Sequence, residues 1–444
     1  MHMKTLKKGR LASLLLAVGL STALLSACGG AGGAADGTKE SGPGTTPPAG
    51  KDPVEIVFIT PQTGRTEEQF MKETGNDIQA KFPHVKVKFI PYAKGTQTAD
   101  LIAAGQPIDI IGTSTSTISE LTQFGLQFDM SSLIKTHGFD INRLEPSLVD
   151  FIRDFSNGGI YGLPTGTGIF TLLYNKSLFD KFGVSYPKEG MTWDEVYELA
   201  KTMTRQEGGV QYFGLVTSIS HMLNNNQLSA AAYDPKTNRV LIEDDKFKSV
   251  VNNFARFFQL ADKEHAKDLL SKHSALFKKE QRAAMYAYYG TDLVAYPGEF
   301  EWGSVSMPFF KEAMGAAPQF APSYMSVAAT STHKDQAFEI IAYLLSDEYQ
   351  MKMSRQGTVT SLKSPDIRAA FAQDQPSFQG KSTKPYSPDK AAAITPKDQL
   401  SGIAISKAYT AFSKIVNGES DVNSALREAA EAAAKEIEAK KQGK

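Results

Sequence analysis

Apolar and polar positions alternate most clearly at Val85-Lys86-Val87-Lys88-Phe89-Ile90, a period of two that predicts a strand with one solvated face. Val54-Glu55-Ile56-Val57-Phe58-Ile59-Thr60 is a nearly unbroken apolar run and predicts a more deeply buried strand, closed by a polar turn from Pro61 to Arg65. A helical stretch then runs to about Phe82. A second helix, containing Leu101 and Ile102, leads into a short strand at Ile108-Asp109-Ile110-Ile111. Strand, helix, strand, helix, strand is the order of an α/β sheet with right-handed crossovers. Ligands of such sheets bind beyond the carboxyl ends of the strands, which makes Pro61, Gln62 and Thr63, and Gly112, Thr113 and Ser114, candidate site loops. Farther on, Ala337, Ile340, Ile341, Leu344 and Leu345 share one helix face, and Asn423 to Lys441 predicts a closing helix.

The first residues follow a different pattern. Lys4, Lys7, Lys8 and Arg10 precede an apolar stretch from Leu11 to Leu25, the charged-then-apolar order of a secretory signal and too short for a comfortable membrane span. Leu25-Ser26-Ala27-Cys28 follows, and Cys28 is the one cysteine in the chain. This arrangement resembles the lipobox of bacterial lipoproteins, which implies a signal peptide over 1–27 and a lipid on Cys28. The alternative is an ordinary secretory signal with an incidental cysteine. Residues 28–52 hold almost only Gly, Ala, Ser, Thr, Pro and a few charges, which predicts a disordered tether. A lipoprotein carries more than one acyl chain, so the resemblance implies stable anchoring on the extracytoplasmic face of the cell membrane.

Charge and length narrow the function classes. The full chain balances 48 Lys plus Arg against 48 Asp plus Glu, and losing the four cations of residues 1–27 leaves a net charge of −4. That mild acidity argues against a nucleic-acid partner, which calls for a strongly basic face. The remainder is too long for one ordinary core and suits two α/β lobes. With no second cysteine, its cores must hold without disulfides.

The middle of the chain carries a family pattern. Gly159-Ile160-Tyr161-Gly162-Leu163-Pro164 is followed by Leu172-Leu173-Tyr174-Asn175-Lys176-Ser177-Leu178-Phe179-Asp180, then Pro187 and Thr192-Trp193-Asp194-Glu195. Together, in this order and spacing, these resemble the family 1 extracellular solute-binding proteins, the maltose-binding-protein-like receptors of ABC importers. Ala283-Ala284-Met285 leading to Gly290, Ser304 to Pro308, Met325 to Ala328, Gln350 and Gly357 extend the resemblance along most of the chain. The same residues have physical readings of their own. Thr192 is a good N-cap for a helix starting at Trp193, with Glu195 complementing the positive helix end, so Trp193 reads as a packing residue. Pro164 holds Leu163 extended and suits a segment entering a new lobe.

Catalytic constellations are hard to find. The seven histidines (His2, His84, His137, His221, His265, His273, His333) show no metal-binding spacing and read as exposed or capping residues. No Gly-x-Ser-x-Gly elbow occurs, and Gly380-Lys381-Ser382 lacks the first glycine of a phosphate loop because Gln375 stands there. Neither a cofactor nor a metal is implied. Two acidic clusters, Glu243-Asp244-Asp245 and Glu299 with Glu301, are the only candidates for a glycosidase pair. The second lies among Tyr286, Tyr288, Tyr289, Tyr296, Phe300 and Trp302, an aromatic density far above the chain's 10% average. Rings interspersed with polar groups suit a carbohydrate, whose apolar faces stack while its hydroxyls pair.

The resemblance implies a non-catalytic binding protein: a two-lobed clamp, each lobe a mixed sheet flanked by helices, joined by three crossings near Thr165, Tyr324 and Ala372. One lobe would take 53–165 with 325–372, the other 166–324 with 373–444. The cleft would draw on Gln62, Thr63, Thr113, Ser114, Thr165, Thr167, Tyr288, Tyr289, Asp292 and Tyr324. Hydroxyls and amides would hydrogen-bond, tyrosines would stack, and Asp292 would orient a polar or cationic group, standing where relatives often carry tryptophan. The implied solute is a mono- or oligosaccharide, the implied partners are the membrane subunits of an ABC permease, and the implied state is monomeric. The rival readings are an anchored glycan hydrolase and a sensor or adhesin using the same clamp.

Overall fold

The computed structural model describes residues 52–294 and 299–443. The signal-like segment, Cys28 and the tether up to Lys51 lie outside the described residues, as does Tyr296. Twelve strands are formed among the described residues: β1 (Val54–Ile59), β2 (Val85–Ile90), β3 (Ile110–Ser114), β4 (Leu163–Gly168), β5 (Phe170–Asn175), β6 (Arg205–Glu207), β7 (Val210–Thr217), β8 (Tyr233–Asp234), β9 (Arg239–Val240), β10 (Ala283–Tyr289), β11 (Trp302–Ser306) and β12 (Ala321–Val327). Ten of these make two mixed five-stranded sheets, with orders β2-β1-β3-β12-β4 and β11-β5-β10-β7-β6; β8 and β9 pair as a small hairpin.

The first sheet follows the hydrophobic pattern directly. β1, β2 and β3 run parallel, and β12 runs antiparallel between β3 and β4. In β2, Val85, Val87 and Phe89 are buried while Lys86 is exposed; in β1, Ile56 to Ile59 are all buried, as a strand flanked on both sides requires. Phe70, on the helix Glu67–Phe70, stacks on Phe89 with ring centroids 4.4 Å apart and joins helix to sheet. Asp109 is buried just before β3, where its carboxylate accepts from Val57 N at 2.9 Å and from Ser331 Oγ at 2.5 Å. It thus ties β1 to the loop beyond β12.

The second sheet is more aromatic. β7 and β10 are parallel, whereas β5 runs antiparallel to both β10 and β11. The helix Trp193–Met203 is capped by Thr192 and Glu195 in a reciprocal capping box, and Trp193 is 3% exposed, edge-on to Phe254 and Phe257. The long C-terminal helices Ser401–Val416 and Val422–Lys441 complete this core, with Phe412 edge-on to Phe258 at 5.2 Å. No helix among the described residues is long and apolar enough to cross a membrane.

The chain passes between the sheets at three places. Only Ile169 separates β4 from β5, and β12 re-enters the first sheet after β11 has left the second. Later, Ile367 packs in the first core while Phe371 and Ala372 pack in the second.

Candidate functional site

Strand register brings two loop rims together. Ser323 pairs with Ser114 and Ala321 with Gly168, so the carboxyl ends of β3 and β4 and the amino end of β12 share one edge of the first sheet. Tyr289 pairs with Phe170 and Ser306 with Thr171, so the carboxyl ends of β10 and β11 and the amino end of β5 share one edge of the second. Because Gly168 and Phe170 are neighbours across Ile169, these two edges meet at the crossing. A Cβ on Gly168 would stand 2.7 Å from Tyr289 Cε1, so glycine is required for the ring of one rim to reach the backbone of the other.

The first rim is built of hydroxyl and amide groups. Gln62 Nε2 donates to Ser114 Oγ at 2.8 Å and joins the loops after β1 and β3, and Ser114 Oγ is 2.8 Å from Ser116 Oγ. Gln62 and Thr63 are exposed, whereas Thr113 is buried and its Oγ1 has no hydrogen-bond partner. Beneath these loops lies a pocket of 290 Å³ whose walls include Thr63, Thr113 and Ser323. Thr165, half-buried on β4, has Oγ1 3.5 Å from Ser323 O; Thr167 is held by its N–H donating to Val359 O at 3.0 Å. Gln62, Thr63, Thr113, Ser114, Thr165 and Thr167 therefore all stand on this rim.

The second rim is an aromatic wall. Tyr289 stacks on Phe170 at 4.3 Å, and Tyr288 stacks on the fully buried Tyr286 at 5.0 Å. His221 fits edge-on against both Tyr288 and Tyr289, at 5.2 and 5.3 Å, and its Nδ1 is 2.7 Å from Ser218 Oγ. Burial pushes the His221 imidazole below its ordinary value, which keeps it neutral at neutral pH. His273 Nδ1 lies 3.0 Å from Tyr286 Oη, and burial, then the proximity of His221, lowers it too. Asp292 pairs with Lys278, Oδ2 to Nζ 3.0 Å. Burial and the Asp292 charge push the Tyr288 phenol up.

Tyr288, Tyr289 and Asp292 thus share the second rim, which meets the first where Tyr289 approaches Gly168. Tyr324 borders the pocket beneath the first rim, but it is fully buried, its ring packs on Phe151 and its hydroxyl donates to Leu148 O at 2.8 Å, so its polar group is committed to the first core. Glu301 directly precedes β11, whose first residue Trp302 pairs with Asn175, at the end of the sheet away from Phe170. Asp244 stands at the N-cap position of the helix Asp245–Phe258, its side chain making no cap bond. Neither acidic cluster joins the rims, and no metal-holding group of His, Cys, Asp and Glu occurs among the described residues. Sequence reasoning missed His221, His273, Ser218, Phe170 and Lys278. The one available signal was position: Ser218 and His221 directly follow β7, another carboxyl strand end in a parallel pair.

Solved structures share this architecture. A sugar transporter from Rhizobium etli, in an open conformation, is 22% identical, with 86% of this chain and 99% of that one covered at a TM-score of 0.68. The sugar-binding protein MalE of Xanthomonas citri is 20% identical, with 88% and 98% covered and a TM-score of 0.67. An ABC substrate-binding protein of Listeria monocytogenes in complex with cycloalternan is 18% identical, with 87% and 99% covered and a TM-score of 0.64. At such identities these likenesses speak for the fold, the two-lobed α/β architecture of periplasmic binding proteins. The family described as bacterial extracellular solute-binding protein matches residues 61–351, well over half of the chain. With two mixed sheets meeting along one rim and the family pattern running through both, this chain belongs to the bacterial extracellular solute-binding proteins, a family of binders rather than catalysts.

Proposed function

We propose that this chain is the lipid-anchored receptor of an ABC importer, capturing a mono- or oligosaccharide between its two rims and delivering it to the permease. The observation that carries the reading is that a rim of tyrosines, Tyr288 and Tyr289, meets a rim of hydroxyl and amide groups, among them Gln62 and Ser114, at the crossing where Tyr289 reaches Gly168. A sugar presents the matching pair of surfaces, apolar ring faces and a hydroxyl edge. The sugar-binding and sugar-transporting neighbours agree with this class of ligand.

In this reading the lobes hinge where the chain crosses between the sheets, at Ile169, ahead of β12 and between Ile367 and Phe371, and the ligand stabilises a closed state in which both rims touch it. The lobes are the first sheet with its helices, 53–168 with 321–370, and the second with its own, 170–320 with 371–443, so Gly166 to Gly168 and Ala321 to Tyr324 go with the first lobe and Phe371 and Ala372 with the second, unlike the bounds the sequence implied. Thr113, Thr165 and Thr167 line the floor near the crossing, and Asp292 acts through its pair with Lys278. Cys28, lipidated after loss of residues 1–27, tethers the clamp through residues 29–52 and keeps it concentrated at its permease.

A thermal-shift screen of the 51–444 unit against mono- and oligosaccharides, polyols and amino acids tests the reading. A sugar at about 100 times its dissociation constant raises stability by about 2.7 kcal/mol. A shift produced by another class and by no sugar contradicts the carbohydrate assignment.

A further inference from the structure

The second rim places a carboxylate and an ammonium side by side at the ligand wall. Lys278 and Asp292 are 22% and 23% exposed, and their charged atoms are 3.0 Å apart. Asp292 follows Tyr288 by one turn of chain and lies close enough for its charge to act on that phenol and on His273. Other charged groups stand near the two rims, among them Glu189, whose carboxylate accepts from Ser306 N at 3.2 Å. Arg65 Nη2 donates to Glu73 Oε2 at 2.7 Å and its guanidinium lies over Phe70. Glu120 accepts from Thr98 Oγ1 at 2.6 Å, and burial raises its carboxyl above the ordinary value. Lys94 stands exposed on the loop after the edge strand β2, with β1 and β3 between it and β12. His221 is half-buried against two phenol rings with one nitrogen already engaged.

Resting on the carbohydrate reading, we propose that the Lys278–Asp292 pair is a charge-cancelling specificity device, and that the site selects uncharged sugars and rejects their uronate and amino counterparts. A closed cleft removes its ligand from water. A charged ligand group there needs a fixed counter-charge, and each member of the pair already holds the other. Approach of a carboxylate toward Lys278 is opposed by Asp292, and approach of an amine toward Asp292 is opposed by Lys278. The pair therefore excludes both signs while leaving a neutral polyol's hydroxyls free to bond, which is selection by a repulsive element. Asp292 alone, without its partner, would favour a cationic ligand, the opposite selectivity.

The test is titration calorimetry of the full chain in detergent. Glucose, galactose and mannose, with their di- and trisaccharides, are each compared with the uronate and the 2-amino analogue of the same ring, for the wild type and for Lys278→Met, Asp292→Asn and the double variant. The expected result is a neutral ligand bound at least about tenfold more tightly than either charged analogue. Lys278→Met moves the preference toward the amino sugar, Asp292→Asn toward the uronate, and the double variant returns it to the neutral sugar. A merely structural pair would weaken all three analogues alike. If either single variant does not fold, the wild-type ranking still decides. A charged analogue bound by the wild type as tightly as its neutral parent overturns the inference and leaves the carbohydrate reading intact. Absence of binding by every sugar overturns both.

Discussion

The two rims differ in what they would offer a ligand. The first presents short hydroxyl and amide side chains on loops, joined by bonds such as Gln62 Nε2 to Ser114 Oγ. The second presents rings fixed from behind, Tyr288 on Tyr286 and Tyr289 on Phe170, with His221 wedged against both. Loops with rotatable hydroxyls adapt to the hydroxyl pattern of a ligand, whereas a packed aromatic wall offers a preformed surface at little entropic cost. The lesson is that affinity should rest mainly on the second rim, and discrimination among neutral sugars on the first.

The sheets behind the rims differ in the same direction, and that difference gives the largest expected effect. A Cβ on Gly214, in β7, would lie 2.0 Å from Ala200 O, a backbone atom of the helix Trp193–Met203 that cannot step aside. On Gly112, in β3, the nearest atom is Met325 Sδ at 3.5 Å, an ordinary contact with a flexible side chain. Gly214→Ala should therefore cost about 3 kcal/mol of stability, whereas Gly112→Ala should cost about 1 kcal/mol or less, measured by denaturant unfolding. Equal losses would show that the second lobe is no more tightly packed than the first.

At the rims, Tyr288→Ala should weaken sugar binding roughly 10- to 100-fold by calorimetry, through lost stacking and buried area. Gln62→Ala should weaken it about fivefold, the scale of one net hydrogen bond of about 1 kcal/mol. Its larger signature is altered ranking among sugars that differ at one hydroxyl. If Gln62→Ala proves the more damaging of the two, the division of labour is reversed.

The smallest effect is on pH. His221 and His273 are both held below the ordinary value of 6.5, chiefly by burial, with Lys278 and Asp292 the charged groups nearby. The unfolded chain takes up protons that these folded imidazoles refuse, so their contribution to stability is fully present above about pH 6.5 and is lost as pH falls through the folded values. His221→Asn combined with His273→Asn should flatten the slope of stability between pH 7 and pH 5. An unchanged slope would remove the histidines from this account.

Much of the first sheet was legible in the chain because its signals are local. Val85 to Ile90 alternates, as the buried and exposed residues of β2 do, and in the second lobe the equally local Thr192-x-x-Glu195 is a helix start that the capping box realises. The carboxyl-end rule also pointed to Gln62, Thr63 and Ser114. The second rim was legible only in part, because its chemistry arises from residues far apart in sequence. Lys278 finds Asp292 across a strand and a turn, and His221 reaches Tyr288 from the helix after β7. Nothing local distinguishes His221 from a surface histidine, and nothing local announces that Tyr324 has its hydroxyl committed to Leu148 O while Tyr288 has its ring at the rim. An alternating strand shows which residues share a face, but not which end of the strand meets the cleft.

The central claim is that the two rims close on a bound solute. Small-angle X-ray scattering of the 51–444 unit, with and without a saturating sugar identified by calorimetry, tests it most directly. The account predicts a smaller radius of gyration with the sugar and no such change for Tyr288→Ala at the same sugar concentration, where occupancy falls. Saturating binding by the wild type with an unchanged radius would contradict it.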